Sequence, residues 1–293
     1  MTMGFQFAAP WRDRAGRFSR FKTLVFAALF LPGLWVLHSL TLGPPIARPI
    51  TEAIHELGLW AIRLLLISLS LTPLRQIGRW PQVALVRRMI GVAAFVYLAL
   101  HFTFYIVDMD WNLLRVGSEI VLRFYLTIGF VALLILAALA ATSTDGMLKR
   151  LGGARWRRLH QFAYLAAILG AWHFFLQAKA DVGEATWIAG LTLWLLAYRP
   201  ILWTWESKIA AHPLVLAGLG ILATLATGAF EVFYLHWRVK APIERLLMAQ
   251  FDSGLGIRPA WIVGGICLMI ILVALMRRGA EPARARLRAA QSS

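Results

Sequence analysis

The sequence predicts an all-α integral membrane protein of eight spans, on three observations. Of 293 residues, 60% are hydrophobic and 15% charged, and the mean hydropathy is +0.68. That places the chain in the multi-span membrane class and excludes an ordinary soluble domain. Apolar runs long enough to cross a bilayer recur along the chain, and unpaired backbone is too costly in hydrocarbon for such runs to be anything but helices. Finally, the basic residues fall on alternate sides of those runs. With the N-terminus inside, 21 of the 30 Lys and Arg lie on the inner side and seven on the outer, with Arg63 and Arg123 within or at the edge of spans. This bias predicts both termini in the cytoplasm.

Taken in order, residues 1–22 are polar and basic and form a cytoplasmic N-terminus. Span 1 is expected over 24–42, ended by Gly43-Pro44-Pro45, and span 2 over about 53–72, stopped by Thr72-Pro73. The first run is long enough to span and lacks a clear small-residue cleavage site, so it reads as a span and not as a signal peptide. Spans 3 to 8 follow at 88–107, about 122–141, 157–176, 186–204, 213–235 and 260–276, with a basic tail. The loops between them are short except 236–259, and no soluble domain is visible. Net charge of +16 has its explanation in the membrane orientation, and no basic patch with interleaved aromatics points to nucleic acid. The single cysteine, Cys267, excludes an internal disulfide, an iron–sulfur cluster and a c-type haem linkage.

Candidate chemistry sits on histidines inside the spans, where imidazoles are rare and usually functional. Spans 3 and 5 are both odd-numbered and therefore parallel. His101 lies 13 residues past Arg88, and His173 lies 15 past Arg158. Both are then roughly 20 Å above the inner face at about 1.5 Å per residue. Two imidazoles at matched depth on parallel helices are what one b-type haem needs as axial ligands. His160 sits about 20 Å lower on span 5. Its offset of 13 residues from His173 corresponds to about 220° around an ideal helix. The residue 14 before His101 is Arg87, not histidine, so a second bis-imidazole haem is not encoded. His160 either pairs with an unusual partner, stays single, or binds a propionate or flavin. Arg63, within span 2, either meets a haem propionate, or bonds a backbone carbonyl or snorkels to the interface. His55, His212 and His236 read as interfacial. Glu231 is an acidic residue well inside span 7, either paired or facing a proton or quinone path.

The segments LWAIRLLLISLSLTPLR, RRMIGVAAFVYLALHFTFY, RFYLTIGFVALLILAALAATS and, above all, WRRLHQFAYLAAILGAWHF carry a resemblance. In this order and spacing they resemble the MsrQ (YedZ) family of the ferric-reductase-like transmembrane superfamily, over about residues 20–205. That resemblance implies a haem b membrane subunit. It takes electrons from the quinone pool or a flavin reductase and delivers them to a periplasmic molybdopterin subunit that repairs methionine sulfoxide in envelope proteins. It also implies an inner-membrane location and bound FMN, although no flavin-binding motif stands out. The family's haem-associated histidines fall on His101, His160 and His173, and Arg87 matches a basic residue of its motif. The family core has about six spans, so residues 23–205 form the expected haem-binding domain. Residues 206–293 form a C-terminal extension with two further spans, read as packing or partner contact.

Two rivals follow from the same residues. A ferric reductase or oxidase normally carries a cytoplasmic FAD and nicotinamide domain, and no Gly-rich dinucleotide loop follows a strand here. A permease or scaffold with structural histidines would show paired Gly/Pro-broken helices at mid-membrane, and none is visible. Methionine sulfoxide chemistry needs a metal or thiol centre. Cys267 in span 8 is not placed for it, so the chain alone is expected to transfer electrons and not to reduce the sulfoxide itself.

Overall fold

A computed structural model describes residues 10–12, 16–44, 47–178 and 181–291. Pro45 and Lys179, used above for a span end and a charge count, lie outside them, as do Arg14 and most of the remaining N-terminal residues. The described residues are almost entirely helical, and eight helical segments are long and apolar enough to cross a membrane. The chain is thus an all-α, multi-pass membrane protein. It divides into two compact units, Met1–Leu69 with Ala84–Gln177, and Ser70–Val83 with Ala178–Ser293.

In the first unit, the first span is broken into α1 (Arg20–Ala28) and α2 (Leu31–Thr41). Pro32 near the start of α2 cannot donate to the preceding turn and clashes with a continuing helix. The groups that the break frees are taken up by a side chain from a later span. The Tyr97 hydroxyl donates to the Leu29 carbonyl at 2.7 Å and accepts from the Gly33 amide at 2.8 Å. Tyr97→Phe should therefore lower the stability of the purified chain by about 1–3 kcal/mol for each group left open. A denaturant titration in mixed micelles checks this. An unchanged midpoint would mean that the break is closed by something else.

Helix α3 (Pro49–Ile77) begins before span 2 was expected and runs past Pro73. A proline near a helix end removes one backbone bond without ending the helix, and one more turn follows. Helix α4 (Arg87–Asp108) is span 3. It is followed by α5 (Leu113–Leu122), too short to span and absent from the sequence reading. Asn112 caps α5, accepting from the Arg115 amide at 3.0 Å. Helix α6 (Phe124–Ala141) is span 4, and α7 (Asp145–Leu151) follows it. Span 5, expected as continuous, is interrupted at Gln161 between α8 (Gly153–His160) and α9 (Phe162–Gln177). His160 is therefore the last residue of a short basic helix and not a residue one turn into a long one.

The second unit contains α10 (Gly183–Thr204), the four-residue α11 (Ser207–Ala210), α12 (Pro213–Val239), α13 (Ile243–Ala249) and α14 (Pro259–Gln291). Here α10 packs with the two helices of the C-terminal extension. Small residues let the backbones approach, as is usual where lipid tails give helices no hydrophobic reason to associate. A methyl on Gly190 of α10 would collide with Thr227 Oγ1 and lie 2.9 Å from Val263. One on Gly220 would lie 2.9 Å from Cys267 Cβ. Cys267 is a buried free thiol, filling the role of a small apolar residue. Glu231, open in the sequence, is paired: it is 2% exposed, forms an ion pair with Arg258, and accepts from Gln250 Nε2 at 3.1 Å. His212 and His236 sit at the two ends of α12: His212 Nδ1 accepts from the Leu214 amide and its Nε2 from Arg278 Nη1 at 3.0 Å, and His236 bonds to the Ala241 carbonyl.

Candidate functional site

The first unit brings the rings of His101 of α4 and His173 of α9 together in an edge-on arrangement. Their ring centroids are 6.3 Å apart and their planes lie at 83°. Each ring is fixed by its other nitrogen. His101 Nδ1 donates to the Ile54 carbonyl of α3 at 2.7 Å, and His173 Nδ1 donates to the Tyr125 carbonyl of α6 at 2.8 Å. A carbonyl oxygen only accepts, so the proton of each neutral ring lies on Nδ1 and the Nε2 lone pair is left for a ligand. Four helices thus build the site: α4 and α9 supply the imidazoles, and α3 and α6 supply the carbonyls that set their tautomer and angle.

This arrangement fits a metal held between the two rings. Two imidazoles sharing one ion through Nε2, with each bond about 2 Å as in other metal–imidazole sites, have centroids about 6 Å apart. The carbonyls serve as the outer hydrogen-bond partners that ligating histidines ordinarily have. Aromatic side chains border the pair. Tyr125 lies 6.5 Å from His173, and Phe102, next to His101, packs 5.7 Å from Phe130.

The remaining sequence-derived residues lie elsewhere in this unit. His160 is 13 residues from His173, roughly 20 Å along the span. It stacks on Trp156 with centroids 3.7 Å apart and donates from Nδ1 to the Trp156 carbonyl at 3.0 Å. Its Nε2 is 3.3 Å from Ser143 Oγ, whose single proton goes to the nearer Leu139 carbonyl at 2.7 Å. Arg87 opens α4, and its carbonyl accepts from Ser68 Oγ at 3.2 Å. The guanidinium groups of Arg87 and Arg88 are near enough to His160 to act on it electrostatically, so Arg87 groups with His160 and not with the facing pair. Arg88 also bridges to Asp145 at 2.6 Å. Arg63 lies over the Trp60 ring at 5.1 Å, a cation–π contact on its own helix.

Sequence reasoning missed the two carbonyls and the glycines beside them, Gly58 and Gly129. A backbone acceptor leaves no mark in a sequence. The available signal was a glycine inside each of spans 2 and 4.

Comparison with known proteins bears on the same region. Residues 57–171 match the family model described as "Ferric reductase like transmembrane component". Three similar proteins carry the name "Protein-methionine-sulfoxide reductase heme-binding subunit MsrQ". The one from Rhodospirillum rubrum is 43% identical over 191 residues, which is 64% of this chain and 88% of that protein. The one from Caulobacter vibrioides is 37% identical over the same shares, and that from Herminiimonas arsenicoxydans is 36% identical over 64% of this chain and 87% of its own. No solved structure matches the chain. With most of each relative's length aligned at this identity and the ferric-reductase-like match spanning α3 to α9, the chain belongs to the MsrQ (YedZ) family of membrane proteins.

Proposed function

We propose that this chain is a haem b electron-transfer subunit of the inner membrane. In this reading it carries electrons from the quinone pool or a flavin reductase to a periplasmic molybdopterin methionine sulfoxide reductase. The observation that carries the proposal is the facing imidazole pair, His101 and His173, with both Nδ1 protons committed to carbonyls. The printed names of the relatives supply the rest: a haem-binding subunit of a methionine sulfoxide reductase system. Haem supplies a one-electron carrier when bound. His101 and His173 would be its axial ligands, and Ile54 and Tyr125 hold those ligands in the right tautomer. Placed well into the membrane, such a site shortens the distance an electron covers between the two faces. His160 and Arg87 mark a second position toward the basic face, where a further haem would meet one imidazole and a cation. The termini are read as cytoplasmic from the charge bias.

The test is a reduced-minus-oxidised spectrum of the purified chain with haem counted per polypeptide, followed by reconstitution with quinol and the periplasmic subunit. A low-spin b-type signal near one haem per chain, reoxidised by the periplasmic subunit, is expected from the facing pair alone. Near two haems brings in His160 and Arg87. Well-folded chain without haem would overturn the proposal.

A further inference from the structure

We infer that Gly58 and Gly129 are ligand-seating positions: each leaves open the side of a helix through which one facing imidazole reaches its carbonyl. The inference rests on the reading that His101 and His173 hold haem iron.

The spacing is the same on both helices. Gly58 is four residues after Ile54, and Gly129 is four after Tyr125. In an α-helix the carbonyl of residue i already accepts from the amide of i+4. The Cα–Cβ bond of i+4 tilts toward the N-terminus and overhangs that oxygen. A second donor from another helix approaches alongside most readily where the Cβ is missing. A Cβ on Gly58 would lie 2.8 Å from His101 Nδ1 and 3.0 Å from Cε1. One on Gly129 would lie 2.8 Å from His173 Nδ1 and 2.9 Å from Cε1. In both cases the three nearest atoms belong to the imidazole. Carbon contacts settle at about 3.5–4.0 Å, so an added methyl must push the ring back by roughly half an ångström or more.

The ring cannot retreat freely, because its two nitrogens are tied in different directions. Moving Nδ1 off the carbonyl weakens the bond that raises ligand basicity, and moving Nε2 weakens the metal bond. A less basic imidazole stabilises ferric iron less, so the midpoint potential moves positive. Gly58 and Gly129 are thus positioning residues that tune the carrier through its ligands. Gly117 of α5, with nothing within 4 Å of an added Cβ, is the matching control.

The test uses the full chain purified with haem, comparing Gly58→Ala, Gly129→Ala and Gly117→Ala. Either site variant should lose haem per chain or show a positive shift in midpoint potential, while Gly117→Ala does neither. A thermal cycle gives a second readout. Gly58→Ala should lower the unfolding midpoint in the His101 background. It should be neutral or stabilising beside His101→Ala, as Gly→Ala ordinarily is in a helix. The same holds for Gly129 with His173→Ala. If Gly58→Ala does not fold, recovery of folding in the double variant supports the inference, and continued failure overturns it. Haem content and potential unchanged in both glycine variants would also overturn it, provided that His101→Ala loses haem. If His101→Ala and His173→Ala keep full haem, the ligation reading itself fails, and the thermal cycle still decides whether the glycines seat the rings.

Discussion

Replacing either His101 or His173 with alanine should remove the b-type spectrum, while His160→Ala leaves most of it. The two rings lie together, with centroids 6.3 Å apart, so on the proposed ligation removing either would leave the haem a single protein anchor. Losing an outer hydrogen-bond partner already costs about 10–100-fold in metal affinity, so loss of a ligand should bring haem per folded chain below about a tenth of wild type. His160 lies roughly 20 Å away along the span by helix rise. Its nearest groups are Trp156 and Ser143 rather than the facing rings. The measurement is haem per chain by pyridine haemochrome, with far-UV circular dichroism to confirm folding. Loss of equal size from all three variants would mean that the pair is not a separate site. Full retention in both His101→Ala and His173→Ala would remove it as a haem site.

The second large effect is expected at Glu231. Its carboxylate is 2% exposed and meets Arg258 and Gln250, and Trp261 in turn donates to the Gln250 carbonyl at 2.6 Å. Removing one partner of a buried pair leaves an uncompensated charge, which destabilises by about 3–5 kcal/mol, whereas replacing both by apolar residues is often neutral. Glu231→Ala and Arg258→Met are each expected to unfold in that range in a denaturant titration. The double variant Glu231→Met with Arg258→Met should recover most of the loss. Haem content should change little, because this network lies in the second unit and the facing histidines in the first. A double variant as unstable as the singles would mean that the pair is not the source of the effect.

Much of this architecture is legible in the sequence, because a membrane makes hydropathy a direct statement about position. All eight spans are visible as apolar runs, and His101 and His173 match in depth by counting residues from Arg88 and Arg158. What escapes is whatever depends on a partner far along the chain. The break at Leu29–Phe30 is signalled by Pro32, but its stability comes from Tyr97. Pro73 looks like a stop and is not one, since a late proline removes a single bond. Helix α5 is too short for a hydropathy window and is set by the Asn112 cap. Glu231 could be seen as anomalous, but its partner on the far side of a loop could not be chosen. The carbonyls of Ile54 and Tyr125 are invisible in principle, being backbone.

The Tyr97 hydroxyl also sets an order in time. The Leu29 carbonyl and the Gly33 amide wait for a residue 68 and 64 positions later in the chain. At about 5–20 residues per second, synthesis of that stretch takes roughly 3–14 s. During that interval the two groups, four residues apart, have only each other as helical partners, and the broken form of the first span lacks the hydroxyl that bridges it. Its break takes the observed form only once the third span arrives beside it. The N-terminal span is therefore a late-maturing part of the fold although it is made first.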